Sequence, residues 1–159
     1  MSKTLTAGLT LAIVIMATVA SVAAAEPQAN RQRMAFEMRK ATYSFVMLPL
    51  TSGALKRDGG PATYGPWSSR TVLRDGQEAE INELDVTLAG KRGTLVIHLR
   101  NEWIDAGSEW AIGEGRWTVV RGTGAYRQLA GGGRVAAVWD PADQSRPRTW
   151  RWEGYLAPR

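Results

Sequence analysis

The chain has 159 residues, a net charge of +5, a pI near 10, seven tryptophans and no cysteine. That composition excludes disulfides, thiol chemistry and thiolate metal sites, so the core and the backbone ladder alone must hold the fold. A single histidine excludes a multi-histidine metal centre, and arginines spread from Arg31 to Arg159 without a run read as a solvated surface rather than a nucleic-acid site.

The chain opens with Lys3 and an apolar run from Leu9 to Val19, closed by Ala23-Ala24-Ala25 before Glu26-Pro27. Small residues there fit the narrow pockets of a signal peptidase, so residues 1–25 read as a signal peptide cleaved after Ala25. The stretch from Ala7 to Ala25 also approaches the length of a bilayer span, which makes an uncleaved anchor the competing expectation; its threonines and alanines weaken it as a span. Residues 26–33 then form a polar lead-in, and 34–159 a single domain large enough for a core of its own. The expected location is secreted, periplasmic or cell-envelope, with membrane contact only through the signal segment.

Along the domain the alternation is of strand type. Ala35 to Leu48 is mixed in parity and reads as one bent strand, Ser52 to Tyr64 as a polar, glycine-rich loop, and Gly65 to Leu73 as another strand. Leu84, Val86 and Leu88 alternate with Glu83, Asp85 and Thr87; after a turn at Gly90–Gly93, Leu95, Ile97 and Leu99 alternate with Val96, His98, Arg100 and Glu102. These two segments predict a hairpin. A turn at Asp105–Ser108 precedes the strand of Gly115, Trp117 and Val119, which Gly122-Thr123-Gly124 breaks. Ala125 to Leu129 allows one helical turn before Gly131-Gly132-Gly133 and a strand over Val135–Trp139. A loop over Asp140–Pro147 leads to a closing strand, Thr149–Leu156, with Trp150, Trp152, Gly154 and Leu156 on one face. The expected fold is all-β: an antiparallel, closed meander barrel of about eight strands.

The segment Trp117-Thr118-Val119-Val120-Arg121-Gly122-Thr123-Gly124-Ala125-Tyr126, with Leu129 and Gly131-Gly132-Gly133 after it, resembles the strand, turn and glycine block of the allene oxide cyclase and dirigent barrel superfamily. Small secreted bacterial proteins carry a similar block. The resemblance implies an eight-stranded antiparallel barrel whose interior holds a small, largely apolar molecule, cyclised or oriented by shape and without a cofactor. The matching residues Gly122, Thr123, Gly124 and Tyr126 are structural in that family, so activity does not carry over with them. Physically, the block predicts positive φ at Gly122 or Gly124 and a Tyr126 ring folded back to plug the barrel end.

Chemistry-bearing residues are few. His98, Arg100 and Glu102 share a strand parity and read as an outward salt-bridge ladder with Arg116 or Glu114 as cross-strand partners; the alternative is a polar cluster inside the barrel that orients a ligand or moves a proton. Glu102, Asp105, Glu109 and Glu114 show no spacing that singles out a glycosidase pair. No nucleophile elbow, dinucleotide loop or metal set is present in the sequence. The indoles are the unusual feature, and Trp103, Trp117, Tyr126, Trp150 and Trp152 form the expected ligand-binding set, either filling the barrel or lining a cavity in it. The expectation is an exported, cofactor-free and metal-free barrel that binds a small apolar or aromatic ligand, or serves as a structural or partner-binding barrel. The alternatives are a cyclase or isomerase acting on such a ligand and, more weakly, a basic envelope protein that binds acidic polymer.

Overall fold

Period-two alternation gives each segment one face to bury, and a sheet that closes on itself buries all of those faces at once. The computed structural model describes residues 30–39, 42–105, 111–139 and 149–159. The signal segment with its cleavage site, most of the Asp105–Ser108 turn and the Asp140–Pro147 loop lie outside them. Eight strands form a closed antiparallel barrel in sequence order: β1 (Gln32–Arg39), β2 (Ser44–Pro49), β3 (Asp58–Arg74), β4 (Gln77–Gly90), β5 (Gly93–Asp105), β6 (Ala111–Gly122), β7 (Leu129–Trp139) and β8 (Thr149–Pro158). β1 and β8 pair to close the ring, with Gln32 opposite Leu156 and Met38 opposite Trp150.

The interior belongs to the apolar parities. Met34, Phe36 and Met38 of β1 face Phe45 and Met47 of β2; Leu84, Val86 and Leu88 of β4 face Leu95, Ile97 and Leu99 of β5; Trp117, Val135, Trp152 and Leu156 complete the core. Large rings need small neighbours. Gly133 and Gly154 stand opposite each other on β7 and β8, and a Cβ on Gly154 would lie 2.7 Å from the Trp117 ring. The indole occupies the space that those two side chains would have taken.

Three boundaries differ from the sequence expectation. Ala35–Leu48 is two strands, because the chain reverses between Arg39 and Ser44, where Tyr43 takes φ 45°. The inward residues are even-numbered before the reversal and odd-numbered after it, which is the source of the mixed parity. β3 begins at Asp58, inside the segment expected to be a loop, since Gly59 and Gly60 pair with Val46 and Phe45 despite their turn-like composition. β7 begins at Leu129, so Gly131-Gly132-Gly133 are strand residues. β1 likewise begins at Gln32, within the expected lead-in. Past a register shift between Tyr64 and Trp67, β3 continues with β4 to a two-residue turn at Asp75-Gly76, both with positive φ, as a type I′ hairpin requires.

One end of the barrel is sealed. After β6, a single 3-10 turn over Gly124–Tyr126 folds across it. Gly124 takes φ 54°, as the turn block predicts, and a Cβ there would meet the Arg92 carbonyl at 2.4 Å. Tyr126 is buried beneath the turn and donates its hydroxyl to Asp58. The Asp58 carboxylate also accepts from the backbone N–H groups of Gly59 (2.8 Å), Lys91 (3.0 Å) and Arg92 (3.1 Å). Gln32 fastens the same end: its amide donates to the Thr51 and Leu55 carbonyls and accepts from the Leu55 N–H.

Candidate functional site

Aromatic side chains gather at the opposite end. Trp150 stands one inward step from Trp152 on β8 and opposite Met38 of β1. Trp103 is the last apolar residue on the inward parity of β5 and stands opposite Gly113 of β6, where a Cβ would come within 2.8 Å of three of its ring atoms. The glycine lets the indole lie flat against the wall. Trp103 and Trp150 approach with ring centroids 5.7 Å apart, Trp150 and Tyr64 at 6.4 Å, and Tyr64 and Tyr43 at 6.2 Å. The last two contacts are edge-to-face, the arrangement that the ring quadrupole favours. Four rings from β2–β3, β5 and β8 thus make a continuous arc around the mouth. Trp67, on the inward parity of β3, stands beyond it and is 66% exposed.

Beneath the arc the interior carries polar atoms that the fold does not satisfy. Asn101 Oδ1 and the Nε1 donors of Trp117, Trp150 and Trp152 are buried without a hydrogen-bond partner. Leaving such a group unpaired costs about 1–3 kcal/mol, so native interiors rarely keep several. Asn101, Gly115, Val135 and Trp152 follow one another across β5, β6, β7 and β8 in a single register row, which puts the acceptor and one donor in the same layer. Gly115 adds no side chain to that layer. Phe36 packs edge-on against Trp117 at 5.3 Å just below.

The expected ligand-binding residues therefore divide. Trp103 and Trp150 share the mouth, Trp117 and Trp152 line the layers below it, and Tyr126 lies at the sealed end, bound to Asp58 and apart from the others. His98, Arg100 and Glu102 are on the outer wall, where they pair with Asp85 (2.9 Å), Glu83 (3.1 Å) and Arg74 (2.9 Å). Their β6 register partners are Thr118, Arg116 and Glu114, so the ion pairs run to β3 and β4 instead. Tyr43, Tyr64 and Asn101 belong to the site although nothing in the linear pattern of aromatics singles them out. Asn101 carries a signal of another kind: it is the one polar residue on the apolar parity Leu95, Ile97, Leu99, Asn101, Trp103. Among the described residues no three His, Asp or Glu side chains gather as metal ligands would.

No protein-family model, curated protein or solved structure matches the chain.

Two buried hydroxyls give the barrel an alkaline limit. Burial pushes Tyr64 up to about 12, and burial together with the Asp58 carboxylate pushes Tyr126 higher still. Both keep their protons in the folded state at pH values where the unfolded chain, at the ordinary value of 10.0, has begun to lose them. Their contribution to stability is therefore complete below about pH 10 and is lost as pH rises toward the folded values. Denaturant melts from pH 8 to 12 should show this fall, and a Tyr64→Phe/Tyr126→Phe variant, weaker at neutral pH, should show a flatter profile. An unchanged slope would place the alkaline titration elsewhere.

Proposed function

We propose that the protein is an exported, non-enzymatic binder of a small aromatic or largely apolar ligand, taken up through the ring-lined mouth of the barrel. The observation that carries this reading is the coincidence of the aromatic arc with four buried, unpaired polar atoms beneath it. Such a pocket holds its guest by apolar area and orients it by a few convergent polar groups. The guest that suits it has a flat body, an acceptor for the indole N–H groups and a donor for Asn101. A binder is favoured over a cyclase because the interior carboxylate, Asp58, is fully engaged in sealing the far end and is not poised as a base. Kinship with the allene oxide cyclase and dirigent barrels remains part of the proposal and rests on the Trp117–Tyr126 block. Export rests on the apolar run and the small residues before Glu26. The arrangement of apolar interior and charged outer wall supports a barrel surrounded by water, since a membrane barrel needs the reverse.

The test uses protein recovered from outside the producing cells, whose intact mass should begin at Glu26. A panel of flat aromatic acids and amides should shift tryptophan fluorescence saturably. Trp150→Phe keeps the ring but removes the indole N–H, and Asn101→Leu removes the acceptor; each should weaken binding by about 1–2 kcal/mol without loss of the fold. No saturable change with any compound would leave the structural reading of the barrel as the better one.

A further inference from the structure

We infer that the outer wall of β6, β7 and β8 carries a second site, independent of the barrel mouth, for an acidic oligosaccharide. Arginines that look scattered in sequence are collected by the register: Arg100, Arg116 and Arg134 stand opposite one another on β5, β6 and β7. Neighbouring strands are about 4.8 Å apart, and like charges held opposite each other oppose folding. Arg100 is relieved by Glu83. Among the described residues neither Arg116 nor Arg134 has an ion-pair partner. The carboxylate opposite Arg134, Glu153, is taken by Arg151 at 2.7 Å and Arg33 at 2.8 Å, which together hold it below the usual carboxylate range. Two guanidinium forks remain for an outside anion.

The next register row gives the ligand a bed. It runs Thr118, Gly132, Tyr155, Arg33, with glycine at its centre. Around it lies an open groove of about 560 Å³ whose lining includes Asn30, Arg31, Gly132, Tyr155 and Ala157. Gly132 and Ala157 leave the floor low, and Tyr155, 49% exposed, stands as an aromatic wall. A flat ring bearing hydroxyls can lie along this wall and bond to the Asn30 amide while its carboxylate meets the fork of Arg134 or Arg116 in the planar two-bond geometry that arginine favours. One ring beside a floor of small residues suits a saccharide better than a single nucleic-acid strand, which calls for successive stacking platforms.

The probe is a fluorescently labelled oligogalacturonate added to the full mature protein, with binding read as anisotropy over a salt series. The expected result is saturable, salt-sensitive binding that Arg116→Gln/Arg134→Gln weakens about tenfold or more. Tyr155→Ala should weaken it as well, and Arg39→Gln/Arg57→Gln, which removes the same net charge elsewhere, should leave it nearly unchanged. All three variants should keep the parent melting temperature and the fluorescence response to mouth ligands, so failure here and failure of the mouth reading are separate results. Equal weakening by the control pair would reduce the effect to net charge and overturn the site. Indifference to Tyr155→Ala, or equally tight binding of polyglutamate, would overturn the saccharide assignment.

Discussion

Asp58→Ala should destabilise the barrel by about 3 kcal/mol or more, the summed consequence of removing charge-assisted hydrogen bonds and leaving buried donors unpaired. One carboxylate collects the start of β3, the β4–β5 turn and the 3-10 turn after β6, through Gly59, Lys91, Arg92 and Tyr126. Burial alone would raise its pKa, but the Tyr126 hydroxyl and the three backbone N–H groups outweigh burial and hold it below 3.8. The stability that it supplies is complete above the unfolded value and is lost as pH falls through the lower folded one. Denaturant melts between pH 7 and pH 2 should therefore show an acid decline in the parent that is smaller in Asp58→Ala. Tyr126→Phe, which breaks one of the four bonds, should cost about 1–2 kcal/mol at neutral pH. If Asp58→Ala melts like the parent, the sealed end is not held by this carboxylate.

A second large loss is expected from Gly133→Val or Gly154→Val. The two glycines face each other across β7 and β8. A Cβ on Gly133 would lie 2.0 Å from the Glu153 carbonyl oxygen and 2.6 Å from the Gly154 Cα, so the obstacle is backbone that cannot rotate away. On Gly154 it would also strike the Trp117 ring. Overpacking of this kind ordinarily costs about 1–3 kcal/mol, and a backbone obstacle places these variants at the top of that range or beyond. A loss of about 3 kcal/mol corresponds to a drop of roughly 10 °C in Tm for a domain of this size. Thermal melts monitored by tryptophan emission would report stability and displacement of Trp117 together. A valine variant with parental Tm and emission would show that the two strands can separate without cost.

The barrel is legible in the sequence because its signals are local. Leu84–Leu88 and Leu95–Leu99 alternate cleanly, the Gly90–Gly93 turn lies between them, and the indoles of β8 share a face with Leu156. The β1–β2 turn is hidden because no glycine or proline marks it between Arg39 and Ser44 and the parity change looks like a bulge. The start of β3 is hidden for the opposite reason, as Asp58-Gly59-Gly60 has the composition of a loop but sits where the backbone of β2 comes close. Asp75-Gly76 is a strong hairpin signal that the sequence does carry. The site is half legible. Residue type and parity point to the tryptophans, but the partition between the sealed end and the mouth depends on cross-strand register. So does the outer arginine row, whose members are 16 to 18 residues apart in sequence and adjacent only once β5, β6 and β7 pair.

The order of the ring has a consequence for how the chain reaches it. Every seam but one joins strands that are consecutive in sequence, and the remaining seam joins β1 to β8 across the whole domain. Hairpins with short turns can zip early, whereas bringing the two ends together carries a loop-closure entropy that grows with the length of chain between them. Ring closure is then the late event of folding. Until it occurs β1 and β8 each present a bare edge, and the β8 of a second chain offers β1 the same partner as its own. Refolding at high protein concentration should for that reason divert chains into exchanged dimers in which each barrel is completed by the other's terminal strand.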